Sequence, residues 1–372
     1  MQKKGRLAWL FALVAVAALF TAGCGSSSGG EATDTTAATG DTTDTTAPAE
    51  TPDLSSLSGK ITGAGSSFQD GFDQRIITDF GKLATGASVV YQKSGSSDGK
   101  QQLADGTVDF AGSDSPIKDE EALAAKKADV LYFPTVLGPI TVSYNVAGLT
   151  DLQLSPDTLA KIMQAEITTW DDAAIKADNP DATLPSTKIT VVHRSDGSGT
   201  TSNFTKYLKA AAPDTWKLEP GETVDWPAST QGAEKNSGVA TAIGQTDGAV
   251  GYVDLIDAAK AKLAVAAIKN ADGNFVKPTP AGASAAAAGA EIKDDLTYSP
   301  LNAAGAESYP ITSPTWILVY KDQKDPAKAE LIRQFLTYAL TTGQTAANEV
   351  LYAPLPKDLA EKALAQVDQI TG

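Results

Sequence analysis

The 372-residue chain has one cysteine, Cys24, and one histidine, His193. A lone cysteine excludes an intrachain disulfide. One histidine and one cysteine, with no clustered ligand spacing, argue against a metal site. Positive charge is scarce: 30 Lys and Arg face 45 Asp and Glu, a formal net charge of -15. That balance argues against a nucleic-acid partner and against adhesion to anionic lipid. Beyond the N-terminal leader no run is long and apolar enough to form a transmembrane helix. Residues 25–58 contain neither an aromatic nor a basic residue. Such a stretch cannot bury enough apolar surface to fold. It reads as an acidic Ser/Thr-rich tether with an end-to-end span of about 30 Å.

What precedes the tether reads as an export signal, residues 1–23. Lys3, Lys4 and Arg6 form a basic start, and Leu7 to Phe20 is an apolar run too short to span a bilayer comfortably. It ends in Thr21-Ala22-Gly23-Cys24, which resembles the lipobox of bacterial lipoproteins, with Thr21 in place of the usual Leu. That resemblance implies that Cys24 is lipidated and that residues 24–58 tether a body to the outer face of a membrane. An ordinary cleaved signal with a stray thiol is the plainer alternative. With the leader removed, 27 basic residues remain against 45 acidic ones, a net charge of about −18.

Residues 59–372 are enough for two lobes of ordinary size. Strand and helix patterns alternate, as in α/β folds. Expected strands include 88–92, 108–111, 130–133, 140–144, 189–193, 249–253 and 315–320. Expected helices include 67–84, 119–127, 156–164, 200–211, 327–342 and 357–370. Phe68, Phe72, Ile76, Ile77 and Phe80 share one face of the first helix.

Three turns carry the chemistry. Residues 62–68 (Thr-Gly-Ala-Gly-Ser-Ser-Phe) and 94–99 (Ser-Gly-Ser-Ser-Asp-Gly) each follow a strand pattern and precede a helical one. Residues 194–200 read Arg-Ser-Asp-Gly-Ser-Gly-Thr, between an apolar run and a helix. Free N–H groups and the positive end of a helix dipole meet at such turns. Arg194 adds a planar fork of donors suited to tetrahedral oxyanions. The bland reading is a capped helix, with Asp196 and Ser198 as caps. Three such turns together point to a multi-sided oxyanion pocket. Salt screens the global acidic field over about 8–10 Å, so local donors decide short-range binding.

With these motifs in place, the chain resembles the phosphate-binding lipoproteins of the Pst-type ABC transporter over most of residues 59–372. Besides the three turns, the resemblance rests on Val108-Asp109-Phe110-Ala111-Gly112-Ser113-Asp114, Phe133-Pro134-Thr135-Val136, Trp170-Asp171-Asp172, Gly251-Tyr252-Val253 and Tyr309-Pro310-Ile311-Thr312-Ser313. It implies a two-lobed periplasmic-binding-protein fold (type II) with crossovers near 138–140 and 309–313. Lobe one would be 59–138 with 312–372, and lobe two 139–311. The implied phosphate contacts are Ser67, the backbone N–H of Phe68, Ser96, Asp114, Arg194, Ser198, Gly199 and Thr200, with Asp196 orienting Arg194. The implied partners are inorganic phosphate, ABC transporter permease subunits and a membrane reached through the lipid. A monomer with no cofactor and no catalysis is expected. Asp98, where the family usually has Gly, and Lys93-Ser94 leave the shape of the second turn open.

Asp114 fits this ligand chemically. Phosphate near neutral pH keeps an O–H, which an ionised carboxylate can accept, whereas sulfate has no proton to give. A cap before Ser115-Pro116 is the plainer reading of Asp114. Among rivals, Gly95-Ser96-Ser97-Asp98-Gly99 fits a serine-hydrolase elbow, with Ser97, Asp114 and His193 in chain order. A binding protein for another oxyanion, such as arsenate, is a second rival.

Overall fold

The structure is a computed structural model and describes residues 54–372. The predicted leader, Cys24 and most of the predicted tether lie outside the described residues. Packing begins ahead of residue 59: Leu54 is buried and the first strand starts at Ser58.

Strand and helix alternate first as β1 (Ser58–Gly65), α1 (Asp70–Leu83), β2 (Gly86–Lys93), α2 (Ser96–Ala104) and β3 (Phe110–Ser113). Then come β4 (Val130–Asn145), β5 (Gln153–Leu154), α3 (Pro156–Met163), α4 (Ala173–Asp178), β6 (Thr190–Arg194) and α5 (Gly199–Ala211). β7 (Gln231–Ala233), α6 (Lys235–Gln245), β8 (Ala249–Asp254), α7 (Leu255–Lys260), β9 (Ala264–Val265), β10 (Ala267–Lys269) and β11 (Phe275–Val276) follow. The chain closes with α8 (Pro280–Ala287), β12 (Thr312–Tyr320), α9 (Pro326–Leu340) and α10 (Lys357–Gln366). The main sheet runs β2-β1-β3-β12-β4-β8-β6-β7, with β9 added beside β4.

β4 belongs to both halves of this sheet. Residues 130–139 pair with β12, and residues 140–145 pair with β8. At the changeover the Ile140 N–H donates to Ile311 O at 2.8 Å, and the Tyr309 hydroxyl donates to Ile140 O at 2.8 Å. The two crossovers of the two-lobed α/β fold therefore lie side by side. In the first half β1 is parallel to β2 and to β3; in the second, β6 is parallel to β7 and to β8. Ligand chemistry in open α/β sheets sits beyond the carboxyl ends of such strands.

Two expectations need correction. The separate strands 130–133 and 140–144 are one strand, buried almost throughout. Pro134 and Pro139 lack a ladder N–H and so read as breaks. The sheet absorbs Pro134 with a register shift between Pro314 and Trp316, where the Thr315 hydroxyl donates to Val136 O at 2.9 Å. The expected helix 119–127 is a 3₁₀ segment, Ala122–Asp129. Only Leu123 of that segment is buried, and its N-terminus has no side-chain cap, so little holds an α-helical register.

Elsewhere the periodicity holds. Phe72, Ile76 and Phe80 of α1 are buried, and Phe80 meets Phe335 of α9 edge-on at 5.4 Å. The Ala/Gly/Pro-rich stretch near 270–291 contains α8, whose Ala283, Ala286 and Ala287 are buried.

Candidate functional site

The site residues lie at the carboxyl ends of parallel strands, in the turns after them or in the helices those turns open. Ser66, Ser67 and Phe68 follow β1, Gly95 and Ser96 follow β2, and Asp114 follows β3. Arg194 ends β6, and Asn236 lies just past β7. The β1 turn needs a glycine: Gly65 has φ +143°, and a Cβ there would lie 2.1 Å from Gly112 O. Gly65 O then accepts from the N–H groups of Ser94 and Gly95, at 2.8 and 2.7 Å, which sets the second turn. That turn leads straight into α2, and Asp98 faces outward, accepting from Gln102 at 2.7 Å.

The two halves meet at these turns. Asp114, 1 % exposed, accepts from the Ser66 hydroxyl on one oxygen and from the Thr200 hydroxyl on the other, the latter at 2.9 Å. Burial pushes its carboxyl up to about 6, against the pull of the Ser66 and Thr200 hydrogen bonds and the Arg194 charge. Asp114 is therefore ionised at neutral pH and protonated in mild acid. Its N–H lies 3.4 Å from the Ser96 hydroxyl. Gly199 packs so closely that a Cβ would lie 2.7 Å from Ser96 Oγ and 2.9 Å from Asp114 Cβ.

Arg194 is held by Asp196 through two hydrogen bonds, Nε to Oδ1 at 2.7 Å and Nη2 to Oδ2 at 2.6 Å. Burial would raise the Asp196 carboxyl, but the Arg194 hydrogen bonds and charge hold it below the usual range. This fork–fork pair fixes the guanidinium plane while committing only two of its five N–H donors. Asp196 is thus an orienting residue, not a helix cap. Ser198 is the cap of α5, accepting from the Thr201 N–H at 3.2 Å. The Gly199 and Thr200 N–H groups, in the first turn, have no intrahelical acceptor. Ser67 and Phe68 lie beneath: the Phe68 N–H donates to Ser66 Oγ at 3.0 Å, and Ser67 Oγ accepts from the Asn236 N–H at 3.1 Å.

The structure thus brings Ser67, Phe68, Ser96, Asp114, Arg194, Asp196, Ser198, Gly199 and Thr200 into one buried cluster. It adds residues that sequence reasoning missed. Ser66 was passed over for its neighbour, although a hydroxyl doublet in a glycine turn leaves either one free to face the site. Asn236 opens α6 and donates from Nδ2 to Thr200 Oγ1 at 3.3 Å; the Lys235 N–H donates to Asp196 at 3.0 Å. The polar stretch Glu234-Lys235-Asn236-Ser237, where α6 begins, was its signal. Asn203 donates to Asp114 O at 2.5 Å and to Ser313 Oγ at 3.0 Å, tying α5 to β3 and β12.

The hydrolase elements do not assemble. The Ser97 hydroxyl donates to Glu222, while His193 stacks on Trp226 at 4.9 Å with its Nδ1 2.9 Å from Arg194 O. Neither touches the other, and Asp114 is bonded to Ser66 and Thr200.

A family model described as a PBP superfamily domain matches residues 30–342. The phosphate-binding protein PstS of Xylella fastidiosa is 38% identical over 309 residues, covering 82% of this chain and 83% of its own. That of Pasteurella multocida is 37% identical over 312 residues, covering 82% and 89%. PstS 3 of Mycobacterium tuberculosis is 32% identical over 323 residues, covering 83% and 86%. Among solved structures, a high-affinity periplasmic phosphate-binding protein bound with phosphate, PfluDING, superposes with a TM-score of 0.69. It is 24% identical and covers 83% of this chain and 94% of its own, a likeness of fold.

Proposed function

The chain belongs to the family of PstS phosphate-binding proteins, and from that premise we propose that it captures inorganic phosphate outside the cytoplasm for an ABC importer. The observation that carries this reading is the buried junction of Asp114, Thr200 and the Arg194–Asp196 pair at converging strand ends. Hydroxyls of Ser67, Ser96 and Thr200 and the free N–H groups opening α5 supply neutral donors. Arg194 supplies the one fixed positive charge among the ligand contacts. Asp114 accepts the hydrogen that phosphate keeps and sulfate lacks. Residues 59–138 with 312–372 form one lobe and 139–311 the other, and closure about the paired crossovers buries the ligand. The test is isothermal titration of the chain carrying Cys24→Ser with phosphate, arsenate and sulfate in parallel. Tight phosphate binding with no sulfate binding is expected, and heat from sulfate equal to that from phosphate sinks the reading. Arsenate carries similar protons and is expected to bind.

Residues 1–23 act as a lipoprotein signal, and Cys24 carries the lipid that holds a monomeric receptor near its permease. Among the described residues no helix is long and apolar enough to cross a membrane. Cys24→Ser is expected to move the protein from the membrane fraction to the soluble one, with phosphate affinity unchanged. Membrane retention of this variant shows that something other than the lipid holds the chain.

A further inference from the structure

We propose that Lys100 and Glu222 form a buried latch across the cleft that sets how long phosphate is retained, an inference that rests on the phosphate reading above. Lys100 lies on α2, in the half built on β1–β3. Glu222 lies in the connection between α5 and β7, in the other half. Their side chains are 1% and 5% exposed, and Lys100 Nζ stands 2.7 Å from Glu222 Oε1. The ammonium also reaches Glu121 at 2.5 Å and Ser115 Oγ at 3.5 Å. Glu222 in turn accepts from the Ser97 and Ser115 hydroxyls.

The network grips the segments that carry the ligand donors without itself contributing one. Ser97 adjoins Ser96, and Ser115 adjoins Asp114. The Glu222 backbone carbonyl accepts from the Ser198 N–H at 3.0 Å, at the cap of α5. One residue therefore holds the α5 turn by its main chain and the α2 and β3 turns by its carboxylate.

The physics makes this pair a latch more than a source of stability. Opening the cleft returns both charges to water, so the intact pair contributes little net free energy. Removing Lys100 leaves the Glu222 carboxylate buried with no cation, and removing Glu222 leaves Lys100 with Glu121 alone and no partner across the cleft, in the closed form only. The cost therefore falls on closure and on ligand retention.

The test compares Lys100→Met, Glu222→Gln and the double variant, each in the full chain with Cys24→Ser. Phosphate Kd and release rate are measured, with thermal unfolding as the folding control. Each single change is expected to weaken binding about 10- to 100-fold, mainly through faster release. The double variant leaves no charge unpaired across the cleft, only the partly exposed Glu121 without its cation, and is expected to recover to within about 3-fold of the parent. Singles with parental affinity and release rate overturn the latch while leaving the phosphate reading intact. So does a double variant whose loss is the sum of the singles. Absence of phosphate binding by the parent overturns both readings. Glu222→Gln keeps the shape and an acceptor oxygen, so it decides the matter if Lys100→Met fails to fold.

Discussion

Arg194→Ala is expected to abolish most phosphate binding while the body stays folded. The guanidinium is the only cation among the proposed ligand contacts, its side chain is 1% exposed, and Asp196 fixes its plane. Deleting one partner of a buried charge-assisted contact costs about 2–5 kcal/mol, an affinity loss of about 30- to several thousand-fold. The fold should survive because Asp196 keeps the Lys235 N–H as a donor and is not itself fully buried. Arg194→Lys separates charge from geometry. A lysine restores the charge but cannot form the two-point pair with Asp196. Its affinity should fall between parent and alanine variant. Calorimetric titration measures both, with thermal unfolding as control. Parental affinity in the alanine variant would remove Arg194 from the site.

Asp114→Asn is expected to change selectivity more than phosphate affinity. The amide oxygen can still accept the phosphate hydrogen, and the new N–H₂ can donate to a sulfate oxygen. The carboxylate that repels a proton-free oxyanion is gone. Sulfate affinity should rise about 10-fold or more, the scale of one hydrogen bond to a charged group. The same logic gives the parent a pH dependence. Burial raises the Asp114 carboxyl from 3.8 to about 6. With the folded value raised, this group's contribution to stability is present below about 3.8 and lost as the pH rises through about 6. Ligand choice moves the opposite way. Above about 6 the ionised group excludes sulfate; below it the protonated carboxyl can donate to sulfate, and the phosphate-to-sulfate ratio narrows. The asparagine variant should lack that narrowing. Competition titrations on either side of that pH check both claims. An asparagine variant that rejects sulfate as the parent does returns Asp114 to a capping role.

Much of the site was legible because it is built from local turns. A strand, a short Gly/Ser turn and a helix start occupy contiguous residues, so 62–68, 94–99 and 194–200 announce themselves by composition and spacing. The Arg194–Asp196 pair spans only two positions. The fold class was legible for the same reason, since alternating strand and helix patterns are local periodicities. The expected strands 130–133 and 140–144 are one because β12 and β8 pair with successive stretches of β4, a long-range choice that local pattern does not carry. Ser97 and His193 looked catalytic because chain order says nothing about distance.

By itself the sequence determined the α/β alternation, the three glycine- and hydroxyl-rich turns and the acidic balance, all properties of neighbouring residues or of composition. Only the tertiary structure decided which hydroxyl of Ser66 and Ser67 meets Asp114, and that Ser198 caps while Asp196 orients. It alone brought Asn236 to Thr200 and set Lys100 against Glu222, pairs separated by 36 and 122 positions. The reason is physical. Which charges share a buried volume depends on how two sheet halves fold against each other, and burial turns a common Lys or Glu into a costly, specific partner.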